Sequence, residues 1–302
     1  VYFYDSSYNV LGSQSGSVSG KLDEPGFTVT TNPFTPPKPG TYYFQGVYSG
    51  DDDYWGSQSN PLNETLTVNK APTTVTTLLI PLGPITLGET VQDRITINTT
   101  ATGTLPPATG TWTVQASKDL SFLTFEPVDS GDVSGSLPFI ATTESWAPPS
   151  AGTWYFRAIY SGEPGPNGNY TGSQSNPLLE QLVVNKVPTN TTTLLSPLGP
   201  ITLGANVTDW ITINTTATGT LPDATGTWTV YFYDSSLNLL DSQSGSVSGQ
   251  LQGSGFVVQS KQFQPLKVGT YYFKANYTGD ANYANSTSNL IDEVLTVGPA
   301  TP

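Results

Sequence analysis

The chain has no cysteine, no histidine and no methionine among its 302 residues. Lack of cysteine excludes disulfides and thiolate chemistry, so the fold must stand on packing alone. Lack of histidine removes the usual neutral-pH acid/base and the commonest metal ligand. Lack of methionine leaves no start residue, so a processed or internal segment is expected. Charge is scarce too, at 11% against about 25% in ordinary soluble domains. What charge there is leans acidic, with 10 basic and 23 acidic residues and a net of −13. That argues against nucleic acid, which needs a basic footprint, and against charge-driven binding to anionic membranes. No stretch approaches the ~20 apolar residues of a transmembrane segment. The opening Val1-Tyr2-Phe3-Tyr4 is strand-like rather than a signal peptide.

Polarity comes instead from serine and threonine. A hydroxyl-rich, weakly charged surface suits a secreted protein that carries sugar or sits in acid. A disordered mucin is the rival, but aromatics at 11% and hydrophobics at 36% supply material for cores.

Self-comparison is the strongest signal. APTTVTTLLIPLGPITLG begins at Ala71 and VPTNTTTLLSPLGPITLG at Val187, a spacing of 187 − 71 = 116 residues. ITINTTATGTLPPATGTWTV ends at Val114 and its near-copy at Val230. VYFYDSS opens the chain at Val1 and recurs at Val230. The expected organisation is an incomplete domain over 1–70, holding only the back part of a copy, then full domains over 71–186 and 187–302. A period this long is a whole domain with its own core. The junctions Asn69-Lys70-Ala71-Pro72 and Asn185-Lys186-Val187-Pro188 are short and proline-stiffened, which predicts a semi-rigid rod.

Within a copy, residues alternate with period two between Gly, Pro, Asn and Asp punctuation. Tyr271, Phe273, Ala275 and Tyr277 share one face; Trp154, Phe156, Ala158 and Tyr160 match them, as do Tyr42, Phe44, Gly46 and Tyr48. Ile95 with Ile97, Ile211 with Ile213, Trp112 with Val114, and Trp228 with Val230 repeat the pattern. These stripes predict the buried sides of strands, and about seven strands per copy predict an all-β chain of tandem immunoglobulin-like β-sandwich domains.

The last copy has G-T-W-T-V-Y-F-Y-D from Gly226, G-T-Y-Y-F-K-A-N-Y-T-G-D-A-N-Y from Gly269 and L-T-V at Leu295. In these residues the chain resembles the bacterial and archaeal Ig-like domains of the group-3 type, which occur in tandem in cell-surface proteins. The resemblance covers the back two-thirds of each copy and implies a seven-stranded sandwich in an extracellular, cell-surface setting. It names no single function. The middle copy departs from it: Glu163 replaces the loop Asp, Pro164–Gly168 is an insertion, and the stretch from Val114 to Ser150 has diverged.

Chemistry is sparse. Serine has no histidine to activate it, and no enzyme is expected. Asp51, Asp52 and Asp53 form the one acidic run, read either as a Ca²⁺ site or as turn chemistry. No other cofactor is expected. Asn-X-Ser/Thr sequons at Asn63, Asn98, Asn169, Asn190, Asn206, Asn214, Asn276 and Asn285 are candidate glycosylation sites. Asn98, Asn214 and Asn276 fall opposite the apolar stripes. Loop aromatics Tyr8, Tyr54, Trp55, Tyr170 and Tyr283 are expected to wedge the joints between domains.

The functional expectation is a structural element of an S-layer, surface filament or stalk. Its expected partner is itself, as a homopolymer or lattice; the incomplete first domain is expected either to continue into missing strands immediately upstream in a longer array or to be completed by strands from another copy. The alternative is an adhesin module binding carbohydrate or protein through loops of the divergent middle domain.

Overall fold

The computed structural model describes residues 1–23, 26–290 and 292–300. Its regular structure is β-strand, with two single-turn 3₁₀ segments. The first repeat contributes β1 (Tyr2–Tyr4), β2 (Val10–Ser13), β3 (Gly40–Gln45), β4 (Val47–Tyr48), β5 (Ser57–Gln58) and β6 (Thr65–Val68). The second contributes β7 (Thr73–Ile80), β8 (Ile85–Thr86), β9 (Gln92–Thr99), β10 (Thr111–Ser117), β11 (Glu126–Asp132), β12 (Phe139–Thr142), β13 (Gly152–Tyr160), β14 (Ser173–Gln174) and β15 (Gln181–Asn185). In the third lie β16 (Asn190–Ser196), β17 (Ile201–Thr202), β18 (Thr208–Asn214), β19 (Thr227–Tyr233), β20 (Leu239–Ser246), β21 (Phe256–Gln259), β22 (Gly269–Tyr277), β23 (Ser286–Thr287) and β24 (Val294–Gly298).

The second and third repeats are built alike. One sheet runs β12-β9-β7 or β21-β18-β16; the facing sheet runs β11-β10-β13-β15-β8 or β20-β19-β22-β24-β17. The short strands β8 and β17 pair in parallel with β15 and β24, so the first strand of each repeat is split between the two sheets. This order is an immunoglobulin-like sandwich.

The stripes lie inside. Tyr42, Trp112, Trp154, Phe156, Trp228, Tyr271 and Phe273 are buried, while Tyr43 and Tyr272 on the opposite face are half-exposed. Small residues in the stripe make room for the facing sheet: Ala158 and Ala275 have no exposed surface. Trp112 and Trp228 lie flat over Gly131 and Gly245 of the neighbouring strand, where an added Cβ would meet the indole at 2.9 Å and 2.8 Å.

The first repeat differs. Its strands β2-β1-β3-β6 make one four-stranded sheet, and among the described residues no second sheet covers it. Phe34 stacks on Phe3 at 4.6 Å just as Phe263 stacks on Phe232 at 4.9 Å, so the aromatic nucleus survives and Phe3 stays buried. Around it the face is open. Phe44 and Val1 are half-buried, and a cleft of about 920 Å³ runs between Val18, Leu22, Phe27, Val29 and Val47. The phenol of Tyr48 turns to Asp51, whereas Tyr160 and Tyr277 donate to the carbonyls of Thr109 and Thr225 within their own repeats.

Candidate functional site: the joint and its loops

The connection between the second and third repeats has almost no slack. Asn185 belongs to the second repeat, its carbonyl accepting from the Leu87 amide at 3.0 Å. Val187 belongs to the third, donating to the Asn282 carbonyl and accepting from the Ala284 amide, both at 2.8 Å. Only Lys186 lies between, and its ammonium is pinned to the Asp280 carbonyl. Away from the linker, Asn282 Oδ1 accepts from the Ala151 amide of the second repeat at 3.0 Å. On another side, backbone meets backbone. A Cβ on Gly88 would lie 2.3 Å from the Thr218 carbonyl oxygen, and one on Gly219 would lie 2.1 Å from that of Gly88.

The corresponding glycines with no neighbouring repeat against them, Gly204 and Gly103, have open space at the same position. At the first joint Gly103 makes no such contact. Pro39 also stands where Ala151 stands in the second repeat, and proline has no amide hydrogen to give. Lys70 still donates to the Glu163 carbonyl at 2.8 Å, matching Lys186.

An acidic side chain shapes the loop beside each joint. Asp280 Oδ1 accepts from the amides of Asn282 and Tyr283, and its Oδ2 from the amide and hydroxyl of Thr225. Burial alone would raise its pKa, but these donors outweigh burial and hold it below the usual carboxylate value. In the first repeat Asp51 Oδ1 accepts from Asp53 and Tyr54, and these amides lower it likewise. Glu163 does the same work with a longer arm, reaching the amides of Thr109 and Asn169. Asp51 is thus a turn former, and Asp52 and Asp53 are exposed beside it. Among the described residues no three acidic groups gather as a metal site requires.

The loop aromatics divide. Tyr170 and Tyr283 do not wedge the joints as expected from sequence. Each curls into its own repeat and donates to Pro106 or Pro222 at 2.7 Å. The acid-led turn reverses the chain ahead of each ring, and the proline carbonyl holds the phenol inside. Tyr54, the matching residue of the first repeat, is half-exposed, Trp55 beside it is 96% exposed, and Tyr8 stacks on Tyr43 at 4.9 Å.

None of the sequon asparagines is buried. Asn63, Asn98, Asn190, Asn206 and Asn285 are exposed; Asn169, Asn214 and Asn276 are half-exposed. They do not cluster into one site but are scattered over strands and loops of all three repeats. No described helix is long and apolar enough to cross a membrane.

No family model and no curated protein matches the sequence. Solved structures match the chain at low identity and low TM-score. Red sea bream transglutaminase is 12% identical with a TM-score of 0.30, over 76% of this chain and 31% of that one. The adhesin InvE of Yersinia pseudotuberculosis is 13% identical with a TM-score of 0.34, over 72% of this chain and 59% of the adhesin. Dimeric latent PorU of Porphyromonas gingivalis is 12% identical with a TM-score of 0.27, over 72% and 19%. The chain thus spans less than two thirds of each. Similarity at this level carries no function; the strand order above assigns the chain to the all-β class, with immunoglobulin-like sandwiches.

Proposed function

We propose that the chain is a non-catalytic segment of an extracellular structural array, with Ig-like repeats of the group-3 type forming a semi-rigid rod in a surface filament, lattice or stalk. The observation that carries this reading is the joint. A one-residue linker, an Asn282–Ala151 hydrogen bond and a glycine–glycine backbone contact fix how one repeat follows the next. Such a joint transmits length and direction, which a spacer needs and an enzyme does not. The scattered, accessible sequons support a glycosylated surface protein. The open face of the first repeat fits a pair of strands from another copy of the repeat, since matching faces of the second and third repeats are covered by β7 with β9 and β16 with β18. Antibody raised against residues 71–186 should label intact cells of the source organism along filaments, a lattice or stalks; label confined to the cell interior would sink the reading.

The adhesin reading retains one observation in its favour. The insertion of the second repeat leaves Pro164, Gly165, Pro166 and Asn167 exposed at the loop tip. Saturable binding of residues 71–186 to a glycan array or a host-surface protein, lost on shortening this loop to the length of the third repeat, would favour it.

A further inference from the structure

Each complete repeat buries two carboxyls against one another. Asp93, on β9, has no exposed surface, and Glu180, just ahead of β15, is buried beside it. The third repeat matches them with Asp209 on β18 and Glu293 ahead of β24. The Leu78 amide donates to Asp93 Oδ1 at 3.2 Å and the Leu194 amide to Asp209 Oδ1 at 3.1 Å. Asp93 Oδ2, Asp209 Oδ2, both oxygens of Glu180 and Glu293 Oε2 have no well-formed hydrogen bond.

The surroundings offer no counter-charge. From the neighbouring strand, the Thr77 hydroxyl and Leu79 amide lean on Glu180, as do the Thr193 hydroxyl and Leu195 amide on Glu293. From the other side Thr143 and Ser260 offer hydroxyls, which accept from the amides of Asp93 and Asp209 at 2.9 Å. Among the described residues no lysine or arginine influences any of the four carboxyls, and Arg94, next along β9, is exposed. Two ionised carboxylates cannot share such a pocket. A single proton resolves the conflict: one carboxyl becomes a donor, and the other accepts from it.

We propose that each complete repeat is closed by a bound proton, held between Asp93 and Glu180 in the second and between Asp209 and Glu293 in the third, so that the array is most stable in an acidic setting. The electrostatics agree. Burial, then the charge of Asp93, pushes Glu180 up to about 8. Burial, then the charge of Glu293, pushes Asp209 up to about 8. Burial raises Asp93 and Glu293 as well.

Unfolded, these carboxyls give up their protons near ordinary carboxylate values, about 4. Folded, each pair keeps one to higher pH, so folding takes up protons across the interval between. Stability is full below that ordinary value and is lost as pH rises towards the raised folded values. The slope approaches about tenfold in the folding equilibrium per pH unit for each pair. Glu64, at the matching position of the first repeat, is exposed.

The experiment is denaturant unfolding of the full chain from about pH 5 to about pH 9, beside the variants Glu180→Gln, Glu293→Gln and the double variant. Glutamine keeps a donor without a titrating proton. The wild-type midpoints should fall as pH rises. Each single variant should lessen the pH dependence of its own repeat's transition, and the double variant should keep only the smaller slope of the remaining buried Asp93 and Asp209. Infrared spectra near neutral pH should show a protonated-carboxyl stretch that the double variant lacks; this readout applies even if a variant folds poorly. A flat wild-type profile, a slope as steep in the double variant as in the wild type, or no protonated-carboxyl band in the wild type would each overturn the proposal. So would recovery of high-pH stability on adding Ca²⁺, because the pair would then be a cation site.

Discussion

Gly88 and Gly219, from different repeats, approach so closely that neither has room for a Cβ. Both have positive φ, +103° and +89°, so a side chain there is strained for backbone reasons as well. Their counterparts Gly204 and Gly103, at +96° and +98°, share the strain without the contact. Gly219→Ala should therefore open the joint between the second and third repeats, while Gly103→Ala should cost similar local stability and leave the joint closed. Small-angle scattering of both variants checks this. Identical scattering profiles would mean that the glycine contact does not set the geometry.

Val18 and Val247 are matched residues, 247 − 18 = 229 positions apart, yet Val18 is 42% exposed and Val247 only 2%. Val247→Ala should destabilise the third repeat by about 2 kcal/mol, from two lost methyl-sized groups and the cavity they leave. Val18→Ala should change little. Placing residues 187–229 ahead of Val1 should cover the open face, slowing amide exchange over residues 27–32 and making Val18→Ala costly. Unchanged exchange in that fusion would mean that the face does not accept these strands.

Asp280 governs the opposite end of the pH scale. Its folded pKa lies below the ordinary value of 3.8, so it contributes stability above that value and loses it as pH falls through the folded one. Asp280→Asn should weaken the third repeat at neutral pH and lose its disadvantage in strong acid. Thermal unfolding from about pH 2 to about pH 7 reads the difference, which should shrink towards the acid end. A gap that stays constant would assign the loop's stability to packing alone.

Sugar is expected on at least one of Asn98, Asn214 and Asn276, which alternate with buried Ile97, Ile213, Ala275 and Tyr277 and so face outward. Intact-mass measurement of protein from the native source, before and after deglycosylation, decides it. A single mass equal to the bare sequence would remove the expectation.

The sandwich was legible because period-two alternation of large aromatics is a direct consequence of strand geometry. The buried acids were harder to see, since Asp and Glu read as surface residues by default. The signal was nonetheless present: Asp93 shares the parity of Ile95 and Ile97, Asp209 that of Ile211 and Ile213, and Glu180 that of Leu182 and Val184. The inward turn of Tyr170 and Tyr283 was not legible, because it depends on phenol hydrogen bonds to the carbonyls of Pro106 and Pro222, far away in sequence. Nor was the glycine contact, since the same glycines recur where nothing touches them.

The joint between residues 71–186 and 187–302 is the centre of the account, and the lack of cysteine makes it directly measurable. Single cysteines introduced on exposed strand positions, such as Ile140 and Val257, would carry a pair of spin labels, one on each repeat. The expected result is one narrow distance distribution that stays narrow when Lys186 is replaced by alanine, because hydrogen bonds on both sides of it hold the chain. A broad or multimodal distribution in the unaltered linker would show that the repeats move independently, and would contradict the rod.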